Sequence, residues 1–491
     1  APEVSALTGD MSVSELRALR EKVEAGLTAG ENVVPVAGGI LPVTPQTLAF
    51  LDTQLAAREE ASGEVVQEET EDAPKSGPVI LKTLENTDDL SWNIPLRPRR
   101  TDMSEIVPLG IVTRLKDHQV DCLQWQIRAW KAGLPGILNA DEQGLGKTLQ
   151  TISFLVWLNE HMKRVGPRRP ILVVAPTSLL KNWELEVERH VEKPGLGFLI
   201  RLYGSSISAR KLPGRQGTDK ATGEEKLDFS DIHKAIERDS GHLTWILTTY
   251  ATLTNYQYSL ARIPFSVTVF DEIQNIKTPG TLSFLAAHTL DTDFRIGLTG
   301  TPIENSTRDI WAIMETLAPG ALGSLQDFRE RYGKADEGNM EELHQRLFSS
   351  FQTRPPFAIR RLKETVARDL PAKSRFLYPQ AMPPLQAKKY EEARIKLQKG
   401  GAGAALKMLH HIRSVSVHPA IDTDLDTDDF IGMSARLSTT FDILRRIRAA
   451  GERALVFIEH RRMQHRFIEL AKVKLGLKKI GLIYGDTPIR K

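Results

Sequence analysis

The chain has 491 residues, which is enough for about three domains of ordinary size. Hydrophobic residues make up 41% of it and charged residues 26%, so it can form globular domains in water. Its single cysteine, Cys122, excludes a disulfide framework and a cysteine-based zinc site. The sequence also contains no run of 18 apolar residues, the length needed to span a bilayer. Because the first residues match neither a signal peptide nor a transit peptide, we expect a cytoplasmic location without a membrane segment.

Charge is distributed unevenly along the chain. Residues 1–95 hold 6 basic and 17 acidic side chains, whereas the remaining residues hold 59 basic and 45 acidic ones. A basic body behind an acidic segment favours a nucleic-acid partner, although the solvated surface of an ordinary protein also carries such charges. Charge alone leaves both interpretations open.

The N-terminal region begins with a predicted amphipathic helix. Ser12 and Glu15 fit a capping box at its start, and apolar residues then recur at helical spacing. A second helix is expected from Pro45 onward, because proline is favoured in the first turn of a helix. The residues that follow are acidic and contain serine, glycine and proline, which is typical of a linker. We therefore predict a helical accessory unit over residues 1–58 and an acidic linker and lead-in over residues 59–105.

An alternation of strands and helices begins near residue 106. Strands separated by helices favour an α/β fold with a parallel, doubly wound sheet, so we predict a first α/β lobe over residues 106–320. Residues 321–433 are expected to form a mostly helical insertion, and residues 434–491 the start of a second α/β lobe. The strands predicted for the first lobe are Gly136–Asn139, Ile171–Ala175, Phe198–Tyr203, Trp245–Thr248, Val267–Phe270 and Arg295–Leu298. Those predicted for the second lobe are Ala454–Ile458 and Ile480–Tyr484.

The first candidate site is the segment Asp141–Thr148, which follows a short strand and precedes an apolar helix. A glycine-rich turn at a helix N-terminus lets backbone N–H groups approach phosphates, and the helix dipole favours their negative charge. Lys147 would reach the β- and γ-phosphates of a nucleotide, and the Thr148 hydroxyl would bind magnesium. The strict sequence pattern fails because Asp141 stands where its first glycine belongs, so a plain helix cap is the alternative interpretation.

Two further polar motifs follow strands of the same predicted sheet. Asp271 and Glu272 come directly after a buried strand, where one carboxylate can hold a metal ion and the next can orient the attacking water. We assign the magnesium role to Asp271 and the catalytic base to Glu272. Gly300 and Thr301 follow the next strand, where they could sense the γ-phosphate, although a plain turn has the same composition. Together the three motifs predict one phosphate-binding edge of the sheet.

This ordered set of motifs resembles the Swi/Snf-type ATPases of helicase superfamily two. The resemblance runs from Leu115 to Lys491, and it removes the difficulty of the missing glycine because this family has an aspartate there. It implies RecA-like lobes in which Lys147 and Glu272 are catalytic and Thr148 and Asp271 bind the metal. The nucleotide-binding residues that it implies are Gln119, which would recognise adenine, and Asp141, Glu142, Gln143, Gly144, Leu145, Gly146, Lys147 and Thr148.

The resemblance also implies DNA contacts and a coupling element. The segments Ala175–Trp183 and Leu247–Tyr250 resemble the family's DNA-contact motifs, and Gly300 and Thr301 are implied to couple the nucleotide site to DNA. The candidate DNA-binding residues are Thr177, Trp183, Thr248 and Thr249, with the hydrophobic core as the alternative place for Trp183. Pro356–Arg361 and His418-Pro419 resemble helical segments particular to this family.

The sequence departs from the usual family pattern in three ways. Ile273-Gln274 replaces the more usual Ala-His, which is similar to microbial members rather than nucleosome remodellers. Residues 1–100 match no motif of this family, although a helical unit ahead of a motor with a glutamine at this position resembles bacterial phage-defence helicases of the Zorya type. The motifs that supply arginine fingers in this family do not occur before Lys491. We therefore expect this chain to bind ATP but to hydrolyse it slowly, and the natural protein to continue past Lys491.

The activity that the resemblance implies is DNA-stimulated ATP hydrolysis that drives translocation along double-stranded DNA. ATP and magnesium are the expected cofactors, and double-stranded DNA and the proteins of a bacterial defence or repair system are the expected partners. One alternative is a strand-separating helicase of a restriction or repair complex. Another is a catalytically idle scaffold that binds DNA and holds ATP as a structural ligand.

Two clusters of potential metal ligands have simpler interpretations. Asp422, Asp424, Asp426 and Asp428 alternate as in a calcium loop, but the glycine and the glutamate that an EF-hand requires are missing. A solvated acidic loop is therefore expected. The histidines expected to have structural roles, because they lie in or beside an apolar helical stretch, are His410, His411 and His418.

Overall fold

A computed structural model of the chain describes residues 13–29, 33–36, 39–62, 96, 98–99, 102–165, 168–303, 306–334, 336–366, 373–399, 402–423 and 425–484. The chain divides into two compact units, residues 1–83 and 84–491. Most of the predicted acidic linker lies outside the described residues, as does Ser12 of the predicted capping box. No helix in the described part of the chain is long and apolar enough to cross a membrane.

The first unit combines two helices with a β-hairpin. Its elements are α1 (Val13–Ala29), β1 (Val33–Val36), β2 (Gly39–Pro42) and α2 (Pro45–Ser62), and the two strands pair antiparallel. Leu16, Leu41 and Leu51 are completely buried in its core. The Thr44 hydroxyl accepts a hydrogen bond from the Thr47 N–H at 3.1 Å and so begins α2. The two predicted helices are confirmed, whereas the hairpin between them was not predicted.

The second unit is built on a seven-stranded, entirely parallel sheet. Its strands are β3 (Gly136–Asn139), β4 (Ile171–Val174), β5 (Phe198–Leu202), β6 (Thr244–Thr248), β7 (Phe265–Asp271), β8 (Thr292–Leu298) and β9 (Ala358–Ile359). They lie in the order β5-β6-β4-β7-β8-β3-β9. Every residue of β4 and β7 is buried, as expected for parallel strands that helices cover on both faces. The predicted α/β fold is confirmed, and the six strands predicted for the first lobe form with ends shifted by a few residues.

Helices cover this sheet and extend beyond it. Those between Asp117 and Val366 are α3 (Asp117–Lys131), α4 (Lys147–Val165), α5 (Leu180–His190), α6 (Asp219–Thr222), α7 (Ser230–Glu237), α8 (Tyr250–Asn255), α9 (Gln257–Ala261), α10 (Leu282–His288), α11 (Thr307–Leu317), α12 (Leu325–Tyr332), α13 (Glu337–Phe348) and α14 (Lys363–Val366). Phe154 on α4 and Phe294 on β8 are completely buried, and their rings lie 5.6 Å apart in the main core.

Strand β9 corrects the prediction for Pro356–Arg361. This segment was expected to be helical, but Ala358 and Ile359 pair in parallel with β3 at an edge of the sheet. The Leu138 N–H donates to the Phe357 carbonyl at 2.9 Å, and the Ala140 N–H donates to the Ile359 carbonyl at 2.8 Å. The prediction of a helix here is wrong. Two residues are too few to show the alternation that identifies a strand in a sequence, so this strand could not be recognised.

The described residues after α14 form a further helical region with its own hydrophobic cluster. Its helices are α15 (Pro384–Lys399), α16 (Ala402–Val417), α17 (Thr427–Gly432), α18 (Ala435–Ala449) and α19 (Arg461–Leu475). Phe430, Phe441 and Phe467 lie in that cluster. The strands predicted at Ala454–Ile458 and Ile480–Tyr484 do not form among the described residues, since neither segment pairs with a neighbouring strand.

Candidate active site

The phosphate loop connects the end of β3 to the start of α4. Gly144 and Gly146 have φ angles of +89° and +84°, a conformation that residues with a side chain rarely adopt. The Leu145 carbonyl between them accepts hydrogen bonds from the side-chain amides of Gln119 at 3.3 Å and Gln150 at 3.2 Å. Two glutamine side chains therefore fix the loop that leads into the N-terminus of α4, where free backbone N–H groups favour an anion.

Lys147 supplies the cation of this loop. Its ammonium is half-buried and donates to the Asp141 carbonyl at 2.8 Å. Burial lowers the pKa of Lys147, while the nearby carboxylates of Glu272, Asp141 and Asp271 oppose that effect. The loop lysine and the two carboxylates at the end of β7 therefore belong to one electrostatic site, which is the arrangement that the sequence motifs predicted.

Asp271 ends β7 and is held by three groups. The Trp183 indole N–H donates to its Oδ2 at 2.8 Å, and the Glu272 N–H donates to its Oδ1 at 3.0 Å. The Tyr250 hydroxyl donates to its backbone carbonyl at 2.8 Å. Burial raises the pKa of Asp271, and the Trp183 hydrogen bond opposes this because it stabilises the charged form. The result is a fixed carboxylate suited to a magnesium ion.

Glu272 has an unusual backbone conformation for a residue with a side chain. Its φ and ψ angles of 51° and 55° lie in the left-handed region, which costs of order 1 kcal/mol or more and is concentrated at functional sites. The Gln274 amide donates to the Glu272 carboxylate at 2.7 Å. The turn after β7 therefore aims the carboxylate, and the glutamine that replaces the family's usual histidine holds it.

A buried ion pair ties the phosphate loop to β9. Asp141 is completely buried, and the Arg361 guanidinium donates to both of its carboxylate oxygens, at 3.0 and 2.5 Å. The Glu142 N–H donates to the Arg361 carbonyl at 3.0 Å, and the Lys363 N–H donates to the Glu142 carboxylate at 2.8 Å. Asp141, which stands where the strict phosphate-loop pattern has its first glycine, thus binds an arginine, a role that its position in the motif alone does not reveal.

Gln119 is hydrogen-bonded to the phosphate loop, and its sequence neighbours line an open cleft. Its side-chain oxygen accepts from the Lys116 N–H at 3.0 Å while its amide nitrogen donates to the Leu145 carbonyl, so both ends of the side chain are fixed. The cleft beside it, of about 710 Å³, is lined by Arg114, Leu115, Lys116, Asp117, His118, Asp121, Thr365 and Val366. Its size suits a nucleoside, and the predicted recognition of adenine by Gln119 stays a prediction.

Comparison with known proteins identifies the family. Residues 118–422, more than half of the chain, match the SNF2-related domain. The chain belongs to this family. It is 32% identical over 439 residues to the Zorya protein ZorD of Escherichia coli, which covers 84% of this chain and 39% of that relative. It is 28% identical over 377 residues to the Homo sapiens chromodomain-helicase-DNA-binding protein 1, which covers 73% of this chain and 20% of that relative.

The chain therefore spans less than half the length of these two curated relatives. A solved Sulfolobus solfataricus structure, described as a SWI2/SNF2 ATPase core in complex with dsDNA, is 28% identical and has a TM-score of 0.43. That match covers 76% of this chain and 73% of the solved chain. The predicted resemblance to Swi/Snf-type ATPases, including the Zorya type, is confirmed at the level of the family.

The residues predicted to contact DNA in this SNF2-family chain differ in their exposure. Trp183 is completely buried and its indole N–H donates to Asp271, so the structure places it in the hydrophobic core, the alternative that the sequence left open. Thr248 is also completely buried and donates to the Leu202 carbonyl at 2.8 Å. The Thr249 hydroxyl caps α8 and is 8% exposed. The polar groups of these three residues bond within the protein, and their DNA contacts stay predictions, whereas Thr177 is exposed at the start of a 3₁₀ turn.

The predicted coupling motif of the SNF2-type site touches the phosphate loop. A Cβ atom placed on Gly300 would lie 2.8 Å from Cγ of Gln143, so the loop after β8 packs directly on the loop after β3. The Thr301 N–H donates to the Thr299 hydroxyl at 3.0 Å, which shapes the same turn. Coupling requires direct contact between these two loops, which the structure has. The coupling role of Gly300 and Thr301 itself stays a prediction.

The metal-ligand set fits magnesium. Thr148 lies half-buried in the first turn of α4, and Asp271 faces the same loop; these two oxygens leave most coordination positions to phosphates and water, as magnesium prefers. No group of three histidine, cysteine, aspartate or glutamate side chains able to hold a metal ion occurs among the described residues. In the acidic loop, Asp426 caps α17 and Asp422 pairs with Arg462, while Asp424 lies outside the described residues.

His418 has the structural role that was predicted for it. It is buried, its ring stacks on Phe430 with the centroids 3.8 Å apart, and its Nε2 lies 2.8 Å from the Phe430 carbonyl. His410 and His411 are exposed on α16. The histidines therefore lie in different surroundings rather than around one point.

Proposed function

We propose that this chain is the nucleotide-hydrolysing part of a motor that moves along double-stranded DNA and acts in bacterial DNA defence or repair. The observation that carries the proposal is the convergence of Lys147, Asp271 and Glu272 beside a glycine-rich loop at the start of a helix. Membership of the SNF2-related domain family and the similarity to the Zorya protein ZorD support the biological setting.

The roles follow from where each group is held. Lys147 would bind the β- and γ-phosphates, and Thr148 and Asp271 would hold a magnesium ion, which when bound neutralises phosphate charge. Glu272 would orient the attacking water and accept its proton, because its carboxylate is held by Gln274 and lies close enough to Lys147 of the loop to raise the pKa of that lysine. Asp271 stays oriented during turnover because Trp183 donates to one oxygen and the backbone to the other.

The basic charge of residues 96–491 supports DNA as the partner. Binding to a phosphate backbone requires no base contacts, so we expect little dependence on DNA sequence. An idle scaffold is the weaker alternative, because the catalytic base, the loop lysine and the metal carboxylate are all present and mutually oriented.

Two assays on the same protein distinguish the activities. ATP hydrolysis is measured with and without duplex DNA, and the displacement of a third strand from a triplex is compared with the unwinding of a fork. DNA-stimulated hydrolysis with triplex displacement supports a translocase, whereas fork unwinding supports a strand-separating helicase. ATP binding that no DNA converts into hydrolysis would support the scaffold.

A further inference from the structure

A second lysine lies over the phosphate loop. Lys363 begins α14, and its Cε and Nζ atoms are 3.1 and 3.2 Å from the position that a Cβ on Gly144 would occupy. A side chain at position 144 would therefore crowd this lysine as well as strain the backbone. Lys363 lies outside the phosphate-loop motif, more than 200 residues from Gly144 and Lys147 in the sequence.

The main chain of Lys363 is firmly anchored. Its N–H donates to the Glu142 carboxylate at 2.8 Å, and Glu142 in turn donates its N–H to the Arg361 carbonyl at 3.0 Å. The Arg361 side chain is bonded to the buried Asp141. Three contacts with the first residues of the loop therefore fix where the lysine side chain begins.

The Lys363 ammonium lacks an acidic partner among the residues that the structure describes. Within the described part of the chain, no carboxylate lies within ion-pair distance of its Nζ. The two lysines are also close enough to interact, since the Lys363 charge adds to burial in lowering the pKa of Lys147. Two like charges held beside one loop, one of them outside any ion pair with the described residues, favour a ligand that carries several negative charges.

We propose that Lys363 is a second phosphate-binding cation, which contacts the terminal phosphates of a nucleoside triphosphate across the loop from Lys147. The inference rests on the proposed nucleotide function and names a further residue of that site. An ammonium is a compact charge whose attraction grows with the charge of its partner, so its contribution is larger for a triphosphate than for a diphosphate. The lysine therefore favours ATP over ADP.

The experiment measures equilibrium binding of MgATP, MgADP and AMP to the 491-residue chain by calorimetry in the absence of DNA. Lys363→Met keeps an apolar stem over Gly144 and removes the charge, and it should weaken MgATP binding about tenfold, MgADP binding less, and AMP binding not at all. Lys363→Arg keeps the charge and should lose less affinity than Lys363→Met. Lys396→Met removes an exposed lysine from α15 and is the matched control, with unchanged binding.

The possible outcomes distinguish a failure of the inference about Lys363 from a failure of the proposed nucleotide function. Unchanged MgATP affinity in Lys363→Met together with weakened affinity in Lys147→Ala would overturn the inference and leave the proposed function standing. An equal loss for MgATP, MgADP and AMP would also overturn it, because that pattern indicates a disturbed loop. A wild-type chain that binds no MgATP would overturn both.

Discussion

Arg361 closes around Asp141, with Nη2 2.5 Å from Oδ2 and Nε 3.0 Å from Oδ1. The two residues are 220 positions apart in sequence, and the carboxylate is completely buried. Arg361 also donates to the His118 carbonyl, so one side chain joins the phosphate loop, α3 and the end of β9. The second unit thereby fixes its phosphate loop through a residue that lies far outside the loop motif.

Removing Arg361 should be costly because it leaves a buried, unpaired carboxylate. We expect Arg361→Met to reduce the free energy of unfolding by about 3 kcal/mol, and Asp141→Asn combined with Arg361→Met to recover much of that loss. Urea unfolding followed by tryptophan fluorescence measures both. Arg360→Met changes an exposed neighbour and serves as the control. Equal stability of the wild type and Arg361→Met would contradict the structural role of this pair.

Much of the sheet could be predicted because its strands are buried on both faces. Runs such as Ile171–Val174 have no polar residue. Because helices separate these runs along the chain, the sequence indicates that the strands pair in parallel. The two residues of β9 could not be predicted, because only their ladder to β3 makes them a strand. The burial of individual polar side chains could not be predicted either. Trp183 and Thr248 sit in motifs that suggest DNA, and the sequence does not disclose that Asp271 and Leu202 already bind them.

The catalytic assignment predicts different defects for the two central residues. Glu272→Gln should bind ATP normally yet reduce turnover by about 100-fold or more, because the water loses its orienting base. Lys147→Ala should instead weaken nucleotide binding, because a phosphate-facing cation is lost. ATP affinity and steady-state hydrolysis in the presence of duplex DNA measure the two effects. Normal turnover by Glu272→Gln would show that another group activates the water.

The metal site should depend on pH through Asp271. Burial raises the pKa of this carboxyl, so its charged form, and with it magnesium affinity, is lost as the pH falls through that raised value. The Trp183 hydrogen bond stabilises the charged form, so Trp183→Phe should raise the pKa further and move the loss of magnesium binding to higher pH. Magnesium titrations of nucleotide binding across a pH series test this. A profile that Trp183→Phe leaves in place would contradict it.

Two threonines offer a contrast between surface and core. Thr177 is exposed and Thr248 is buried, although both lie in segments expected to contact DNA. Thr177→Ala should weaken duplex binding about threefold without changing stability, as expected for the loss of one solvent-exposed hydrogen bond from a hydroxyl to a phosphate. Thr248→Val should reduce stability and leave duplex affinity unchanged in the folded protein. Fluorescence anisotropy at several salt concentrations, paired with thermal unfolding, separates the two. Weaker duplex binding by Thr248→Val with unchanged stability would instead indicate that Thr248 contacts DNA.

Gln274 should act on catalysis only through Glu272. Its amide donates to the Glu272 carboxylate at 2.7 Å, whereas its neighbour Asn275 donates to the Glu272 backbone carbonyl at the same distance. We expect Gln274→Ala to lower kcat about tenfold with little change in KM for ATP, because the base is still present but no longer aimed. Asn275→Ala removes an exposed amide from the same turn and should leave kcat nearly unchanged.

The double variant Gln274→Ala/Glu272→Gln tests whether Gln274 acts only through Glu272. If Gln274 works by holding the carboxylate, adding its loss to Glu272→Gln lowers kcat no further. A further drop in the double variant would show that Gln274 contributes to turnover independently of the base.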